Sequence, residues 1–309
     1  MGRIFGIILY FSIIVLEAGC AVSTENIATH VFDNKITLYQ ETTPSIEIMG
    51  IYRWMSQLGG EESNQGADAY GDLLCQFRAD HSSLDIMDMR QKNHVATIPL
   101  QSLGSAYHCN NADFSNFFYK DSDEFPLLYS SHQGKDARCI LVDRIYKVKE
   151  EYQLKTVQII RIPYNLDEPL QYTPDAIIDE DNSFLYVYTG NTEPTTSLYI
   201  YKFRMPKFVE GITTLSENDI EAVWIISDNP PKYKQGGTIK DGIIYLMEGV
   251  PRWGADNILR VIDLQRGLYS IINLSKDFNV KWEPEDIFWY DDCLYAASNR
   301  SGIYQIKVK

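Results

Sequence analysis

The residues of this sequence that could do chemistry are polar side chains that come just before short apolar runs. They are Gln65, Asp68, His108, Asn110, Asn111, Asp175, Gln235, Glu283, Glu285 and Asp286. Carboxylate and amide oxygens bind small ligands or divalent cations when they converge in one concave site. The same residue types also satisfy the backbone groups of loops and turns, so a structural role is the alternative for each of them.

A repeated unit determines where these side chains lie. In five segments a polar or turn residue opens a strand, a short polar turn follows, and a second apolar strand comes next. The second strands are Leu73–Phe77, Pro126–Tyr129, Phe184–Tyr188, Ile243–Leu246 and Cys293–Tyr295. Each is followed by a third strand of alternating pattern, and the period of two identifies these runs as β-strands.

Four of the five units continue into a fourth apolar run, and the fifth unit reaches Lys309 without one. Four-stranded repeats of roughly 40 to 60 residues are typical of β-propeller blades, which bury their faces only against neighbouring blades. The sequence therefore predicts an all-β protein with a single β-propeller. Five four-stranded blades fit the repeats best, and six are the alternative.

The strand missing from the last unit has a donor near the N-terminus. The run Ile46–Trp54 precedes the first unit and is predicted to pair with the last blade, which closes the ring and removes a free strand edge. A second run, Val31–Tyr39, is predicted either to extend that same blade or to build a sixth, degenerate one.

The N-terminus has the pattern of an export signal. Arg3 is followed by an apolar run from Ile4 to Leu16, which is shorter than the roughly 20 residues that a transmembrane helix needs. Residues 1–20 are predicted to be a signal peptide, 21–44 a tether with a further strand, and 45–309 the propeller. Cys20 resembles the acylated cysteine of a bacterial lipobox, although Glu17 departs from that motif. Cleavage near Ala21 is the alternative to lipidation of Cys20.

The charge and the cysteines limit the class of protein. Loss of Arg3 and Glu17 with the signal leaves the formal net charge at -14, and such an acidic chain repels the phosphates of nucleic acids. Cys75, Cys109, Cys139 and Cys293 then remain. They are interpreted as buried thiols, with one disulfide as the alternative. No zinc-binding spacing is present.

In a propeller the first strand of each blade lines the central channel, so the residues that open these strands meet at one end of the axis. The repeats align Gly66, Asn110, Pro174, Gly236 and Pro284. The polar residues beside these five positions are therefore predicted to surround one mouth of the channel, where they would form a binding site or a network that satisfies the loops.

The openings at Gln65-Gly66, Gln235-Gly236-Gly237 and Glu283-Pro284-Glu285 resemble those of secreted or lipid-anchored β-propeller proteins of Bacteroidetes. A looser similarity connects them to NHL and SMP-30-type propellers. This resemblance covers most of residues 65–309. It implies the propeller fold and a location in the cell envelope, and fold alone does not imply an activity.

Three functions follow as hypotheses. The first is a binding module, tethered to a membrane surface through Cys20 or else secreted, that recognises a glycan, a peptide or a protein without a cofactor. The second is a glycosidase, because Asp68, Asp175 and Glu285 resemble the acids of five-bladed glycosidases. Those acids occupy the first three blades, whereas in this chain they fall on units one, three and five. The third is a lactonase-like hydrolase with a divalent cation held by Glu283 or Glu285 together with Asn110, Asn111 and Asp175.

Aromatic residues near the channel bear on the first hypothesis. Trp253 lies in a loop, and Tyr107 and Trp282 immediately precede channel positions. Exposed aromatic rings would favour sugar binding. For Trp253 and Trp282 we expect instead that both rings pack between blades.

Overall fold

The computed structural model describes residues 35–56, 64–79, 83–100, 109–131, 139–162, 174–179, 181, 183–189 and 197–309. These residues form five β-sheets arranged as the blades of a single β-propeller, so the predicted fold class is confirmed. The blades are numbered 1 to 5 in the chain order of their inner strands, which contact one another around the ring.

Each of the first four blades has four antiparallel strands that follow one another in chain order from the axis outwards. Blade 1 consists of Asn64–Tyr70, Leu73–Arg78, Ser83–Asp88 and Asn93–Pro99. Blade 2 consists of Ala112–Phe114, Leu128–Ser131, Cys139–Val148 and Glu151–Arg161. Blade 3 consists of Asp175–Asp179, Phe184–Thr189, Leu198–Arg204 and Ile220–Ile226. Blade 4 consists of Lys234–Lys240, Ile243–Glu248, Ile258–Asp263 and Leu268–Asn273.

Blade 5 is built from both ends of the described chain. Its strands, from the inner to the outer, are Pro284–Tyr290, Cys293–Ser298, Gly302–Val308 and Ile48–Met55. The outer strand pairs antiparallel with the third one, and Glu47 and Lys309 add two backbone hydrogen bonds of 3.3 and 2.9 Å. Closure of the ring by the N-terminal strand is therefore confirmed.

Three blades carry a fifth strand on their outer edge, and it runs parallel to its neighbour. Gly211–Thr214 covers blade 2, Lys35–Thr37 covers blade 3, and Tyr39–Gln40 covers blade 4. The described part of the run predicted to extend the last blade or to form a sixth blade, residues 35–39, therefore lies on blades 3 and 4 instead. The reason is physical, because these additions satisfy the edge groups of outer strands that a four-stranded blade leaves unpaired.

Helices are short in the part of the chain that the structure describes. They comprise one α-helical turn at Leu274–Asp277 and two 3-10 segments at Glu217–Asp219 and Pro251–Trp253. No helix among the described residues is long and apolar enough to cross a membrane. The four cysteines in the described residues are present as thiols rather than disulfides.

The hydrophobic core lies between the blades and not along the axis. Five clusters of buried apolar side chains occupy the five interfaces, and each draws on two neighbouring blades. Ile86 and Leu141, for example, meet between blades 1 and 2, and Met87 meets Tyr295 between blades 1 and 5. Burial of each large apolar side chain contributes about 1.5–3 kcal/mol, so a blade removed from the ring would lose both of its faces.

Two methionines of the closing strand provide a test of ring closure. Met55 is 3% exposed and packs between blades 5 and 1, whereas Met49 is 57% exposed. Met55→Ala should lower the free energy of unfolding by about 2–5 kcal/mol, because it leaves a cavity between blades. Met49→Ala should change it by less than about 0.5 kcal/mol. Urea denaturation of both variants measures the difference, and equal effects would contradict the closing role of this strand.

Candidate functional site

The five inner strands converge at equivalent positions, although the register differs from the predicted one. Ala67, Gly237 and Ile287 each stand three residues before the end of their inner strand, and Ala176 does the same in blade 3. Ala112 is the equivalent residue in blade 2, and these five residues define a common level around the axis. The residues that immediately precede them are Gly66, Asn111, Asp175, Gly236 and Asp286. The alignment predicted from the sequence therefore slips by one residue at Asn110 and Pro174, and by two at Pro284.

Asp286 holds three blades together near the axis. Its carboxylate accepts hydrogen bonds from the backbone N–H groups of Ala67 in blade 1, Ala112 in blade 2 and Ile287 in blade 5, at 2.8, 3.0 and 2.8 Å. The side chain is fully buried. Burial raises the pKa of Asp286 well above its ordinary value, and the three hydrogen bonds only partly oppose this.

Gly236 of blade 4 makes room for this carboxylate. A methyl group in place of its hydrogen would collide with the Asp286 carboxylate and would lie 2.7 Å from the Asn110 carbonyl oxygen. Only glycine permits the backbone to approach so closely. The side chain of Asp286 and the backbone of blade 4 thus lie in contact near the axis.

A second polar network connects blades 2, 3 and 4. The Tyr188 hydroxyl donates to the Gln235 carbonyl oxygen at 2.9 Å and to Asn111 Oδ1 at 3.3 Å, and Asn111 Nδ2 donates to the Gly237 carbonyl oxygen at 3.2 Å. Lys234 Nζ forms a buried ion pair with Asp175. Asn111, Asp175 and Gln235 were predicted as site residues from the sequence, whereas their partners Lys234 and Tyr188 were not.

The remaining predicted site residues that the structure describes are also buried or bonded within the protein. Glu285 accepts a hydrogen bond from Asn299, and burial raises its pKa well above the usual range. Gln65 Nε2 donates to the Asn64 carbonyl oxygen at 2.9 Å, and the side chain of Asn110 is 7% exposed. His108 and Cys20 lie outside the described residues.

Asp68 lies one residue past the common level and links two blades. Its carboxylate accepts from its neighbour Ala69 and from the backbone N–H of Phe114 in blade 2, both at 2.7 Å. Asp113, at the equivalent position of blade 2, accepts from Ile178 of blade 3 at 3.0 Å. Asp113 was not among the predicted site residues, although Ala67-Asp68 and Ala112-Asp113 are the same dipeptide and this repeat indicates the pair.

Exposed aromatic and charged side chains lie at the rim, in the loop between the second and third strands of blade 4 and just before the inner strands of blades 4 and 5. Trp253 is 61% exposed, and its ring packs against Tyr233 with the centroids 5.4 Å apart. The Arg252 guanidinium lies 5.1 Å from the Trp253 ring centroid and 3.3 Å from a carboxylate oxygen of Glu283. Burial raises the pKa of Glu283, whereas Arg252 and Arg300 lower it.

The two tryptophans near the channel have different environments. The expectation that Trp253 packs between blades is wrong, because its ring stands largely in solvent on a 3-10 turn that Gly254 ends. Trp282 is half-buried and stacks on Tyr304 of blade 5, with the ring centroids 4.4 Å apart. Tyr107 lies outside the described residues.

The described residues contain no group of three or more His, Cys, Asp or Glu side chains placed to hold a metal ion. The acids proposed for hydrolysis are engaged separately. Asp68 binds backbone N–H groups, Asp175 pairs with Lys234, and Glu285 bonds to Asn299. Within the channel, these carboxylates therefore hold the inner strands together by hydrogen bonds and an ion pair.

The chain matches no family model, and no curated protein matches it in sequence. Similar solved structures include the glutaminyl cyclase of Myxococcus xanthus, at 10% identity over 89% of this chain and 98% of that chain, with a TM-score of 0.51. Another is the PQQ-bound aldose sugar dehydrogenase of Streptomyces coelicolor, at 10% identity over 87% and 100%, with a TM-score of 0.49. Both are β-propeller-like proteins, and the likeness to the cyclase supports the fold alone.

The buried ion pair gives a prediction for the channel. Asp175→Asn removes the carboxylate that neutralises Lys234, and it should cost about 3–5 kcal/mol in the free energy of unfolding. The double variant Asp175→Asn/Lys234→Met should recover much of that loss, because no buried ammonium group remains.

Chemical denaturation of the two single variants and the double variant measures this coupling. The exposed pair Lys240–Asp292, with its atoms 2.8 Å apart, is the matched control. Asp292→Asn should have little measurable effect, because water screens that pair. Independent, additive effects of Asp175→Asn and Lys234→Met would contradict the structural role assigned to the pair.

Proposed function

We propose that this protein is an exported binding module that recognises a carbohydrate on the channel face of the propeller, at the rim formed by blades 4 and 5. The observation that carries the proposal is the exposed pair of Trp253 and Tyr233 beside Arg252 and Glu283. Exposed tryptophan is costly to leave in water, and it is enriched where proteins bind partners.

The composition of this rim fits a sugar ring. An indole ring offers a flat apolar surface to the C–H face of a sugar, while the guanidinium and carboxylate groups offer hydrogen bonds to its hydroxyls. A pocket that combines aromatic surface with a few placed polar groups is the usual form of a small-ligand site. Peptide and protein ligands, which the sequence also allows, are alternatives that binding experiments distinguish.

The burial of the acids also supports a site at the rim. Asp286, Asp175 and Glu285 are at most 2% exposed, so a ligand would meet the face of the propeller rather than these carboxylates. Hydrolysis by Asp68, Asp175 and Glu285 would require these carboxylates to reach one substrate, and each is engaged elsewhere. The favoured function is therefore binding without catalysis in the channel.

The test uses an unlipidated form of the protein, residues 21–309, on a glycan array and then in calorimetry with the sugar that binds. Trp253→Ala should weaken binding at least tenfold, the equivalent of about 1.4 kcal/mol, because the stacking surface is lost. Phe117→Ala is the matched control, since Phe117 is another exposed aromatic residue at 48%.

Retained melting temperature in both variants would show that folding is unaffected. Equal affinity of the Trp253→Ala variant and the parent would reject this rim as the site. If a peptide or protein bound saturably and no glycan did, the carbohydrate ligand would be rejected, and the role as a binding module would be retained.

Export and lipidation at Cys20 form the second part of the proposal, and they rest on the sequence pattern of residues 1–20. Cys20→Ala should prevent acylation, so the protein should accumulate unprocessed or leave the membrane fraction. Fatty-acid labelling and cell fractionation, with and without globomycin, measure this. Unchanged labelling of the Cys20→Ala protein would place the anchor elsewhere.

A further inference from the structure

One position of the repeat differs in chemical type in blade 2. It lies in the third strand, opposite a buried Leu or Ile of the second strand, and it faces the preceding blade. Its occupants in blades 1, 3, 4 and 5 are Met87, Phe203, Ile262 and Ile306, all of them buried apolar residues in the core clusters. In blade 2 the same position, opposite Leu128, is held by Asp143.

Asp143 is buried, and its hydrogen-bond donors among the described residues are neutral. It is 2% exposed, and its carboxylate accepts hydrogen bonds from the Thr156 hydroxyl at 2.6 Å and from the Ser130 hydroxyl at 3.5 Å. Among the described residues no Lys, Arg or His lies within ion-pair distance of it. Three buried acids do have such a partner, in the pairs Arg78–Asp85, Lys234–Asp175 and Arg260–Glu248, whereas Asp286 and Glu285 accept from neutral donors.

A cavity of about 460 Å³ opens beside this carboxylate, between blades 1 and 2 and away from the channel. Phe77 and Leu100 of blade 1 form one apolar wall, and Leu154, Ile159 and Ile212 form the other. The other ionisable groups that line it are Glu210 and the solvent-exposed Lys155. Its size lies in the usual range for small-molecule sites, roughly 300–1,000 Å³.

An ionised carboxylate in such a place is costly unless a positive charge compensates it. Burial raises the pKa of Asp143 to about 6, and the two hydroxyl donors oppose this, so the group is ionised at neutral pH. The apolar walls would bury the hydrocarbon part of a ligand. Calcium, by comparison, takes six to eight oxygen ligands, and the described residues offer no cluster of that kind.

We propose that the cavity between blades 1 and 2 binds a small organic cation, an ammonium group on an apolar body, with Asp143 as its counter-ion. This site is separate from the rim at Trp253, and it stands or falls without the carbohydrate proposal. The ammonium group would pair with Asp143 as Arg78 pairs with Asp85. The hydrocarbon part of the ligand would lie against the apolar walls of the cavity.

The probe is hexylammonium chloride, with hexan-1-ol as the neutral probe of the same shape, and the readouts are calorimetry and methyl NMR of the cavity isoleucines. Hexylammonium should bind in the millimolar range or tighter at pH 7.5, and at least about tenfold more tightly than hexan-1-ol. Asp143→Asn, which keeps the shape and removes the charge, should abolish this preference. Thr97→Val, beside the paired carboxylate of Asp85 in blade 1, is the control and should not affect the probe.

Equal binding of the two probes, or equal binding of hexylammonium by the Asp143→Asn variant and the parent, would overturn the proposal. So would the absence of saturable hexylammonium binding at pH 7.5. A second variant guards against a folding failure, because Asp143→Leu restores the apolar type that the other four blades have. It should fold with a higher melting temperature than the parent at pH 7.5 and should not distinguish the probes by charge.

The dependence on pH provides an independent check. Because the pKa of Asp143 is higher in the folded protein, at about 6, than in the unfolded chain, the folded state binds more protons between pH 4 and pH 6. The contribution of Asp143 to stability therefore falls as the pH rises through this window. The parent should lose melting temperature relative to Asp143→Asn from pH 4 to pH 6, and saturating hexylammonium should restore part of that loss above pH 6. An unchanged difference between parent and variant would contradict an ionised, unpaired Asp143.

Discussion

The structure depends on the satisfaction of one buried carboxylate, that of Asp286 at the axis. Three backbone N–H groups from blades 1, 2 and 5 converge on it, and they can do so only where their inner strands lie close together. A buried carboxylate without such donors would cost several kcal/mol, so the network fixes how near the blades approach. Gly236 completes the constraint from blade 4. This carboxylate is therefore occupied by the strands themselves and serves the packing of the ring.

The sequence was sufficient to predict the propeller, the five blades and the closing strand, because each rests on the period of two and on repeated strand lengths. It was not sufficient for the register of the inner strands. Bulges interrupt the pairing between Asn64 and Ala67, between Lys234 and Gly237, and between Pro284 and Asp286. The bulge is the same one-residue insertion in blades 1, 4 and 5, so it does not itself displace Pro284 relative to Gly66. That alignment matched turn residues by type, and Pro284 lies two residues earlier in its strand than Gly66 does.

The sequence identified the polar residues at the starts of the inner strands. It did not indicate whether each side chain binds a ligand or a partner within the protein. A polar residue that opens a strand looks the same in a sequence whether it faces water or a buried partner, and Asp175 and Gln235 have buried partners. Exposure of Trp253 was missed for the opposite reason, because tryptophan is more often buried and only the turn at Pro251–Trp253 places this ring in solvent. Lys234 was missed because a lysine that opens a strand usually lies at the surface.

Asp143 and Asp286 show why the partners of a buried acid say more about its role than its burial. Both side chains are almost fully inaccessible, and burial raises the pKa of both. Asp286 has three backbone donors from three blades, its surroundings leave no space, and its loss would separate strands that the fold needs. Asp143 has two hydroxyl donors from its own blade, borders an open cavity, and occupies a position that the other four blades fill with apolar side chains. The fold does not require an acid at this position. The proposed cation in the cavity would account for the presence of a carboxylate there.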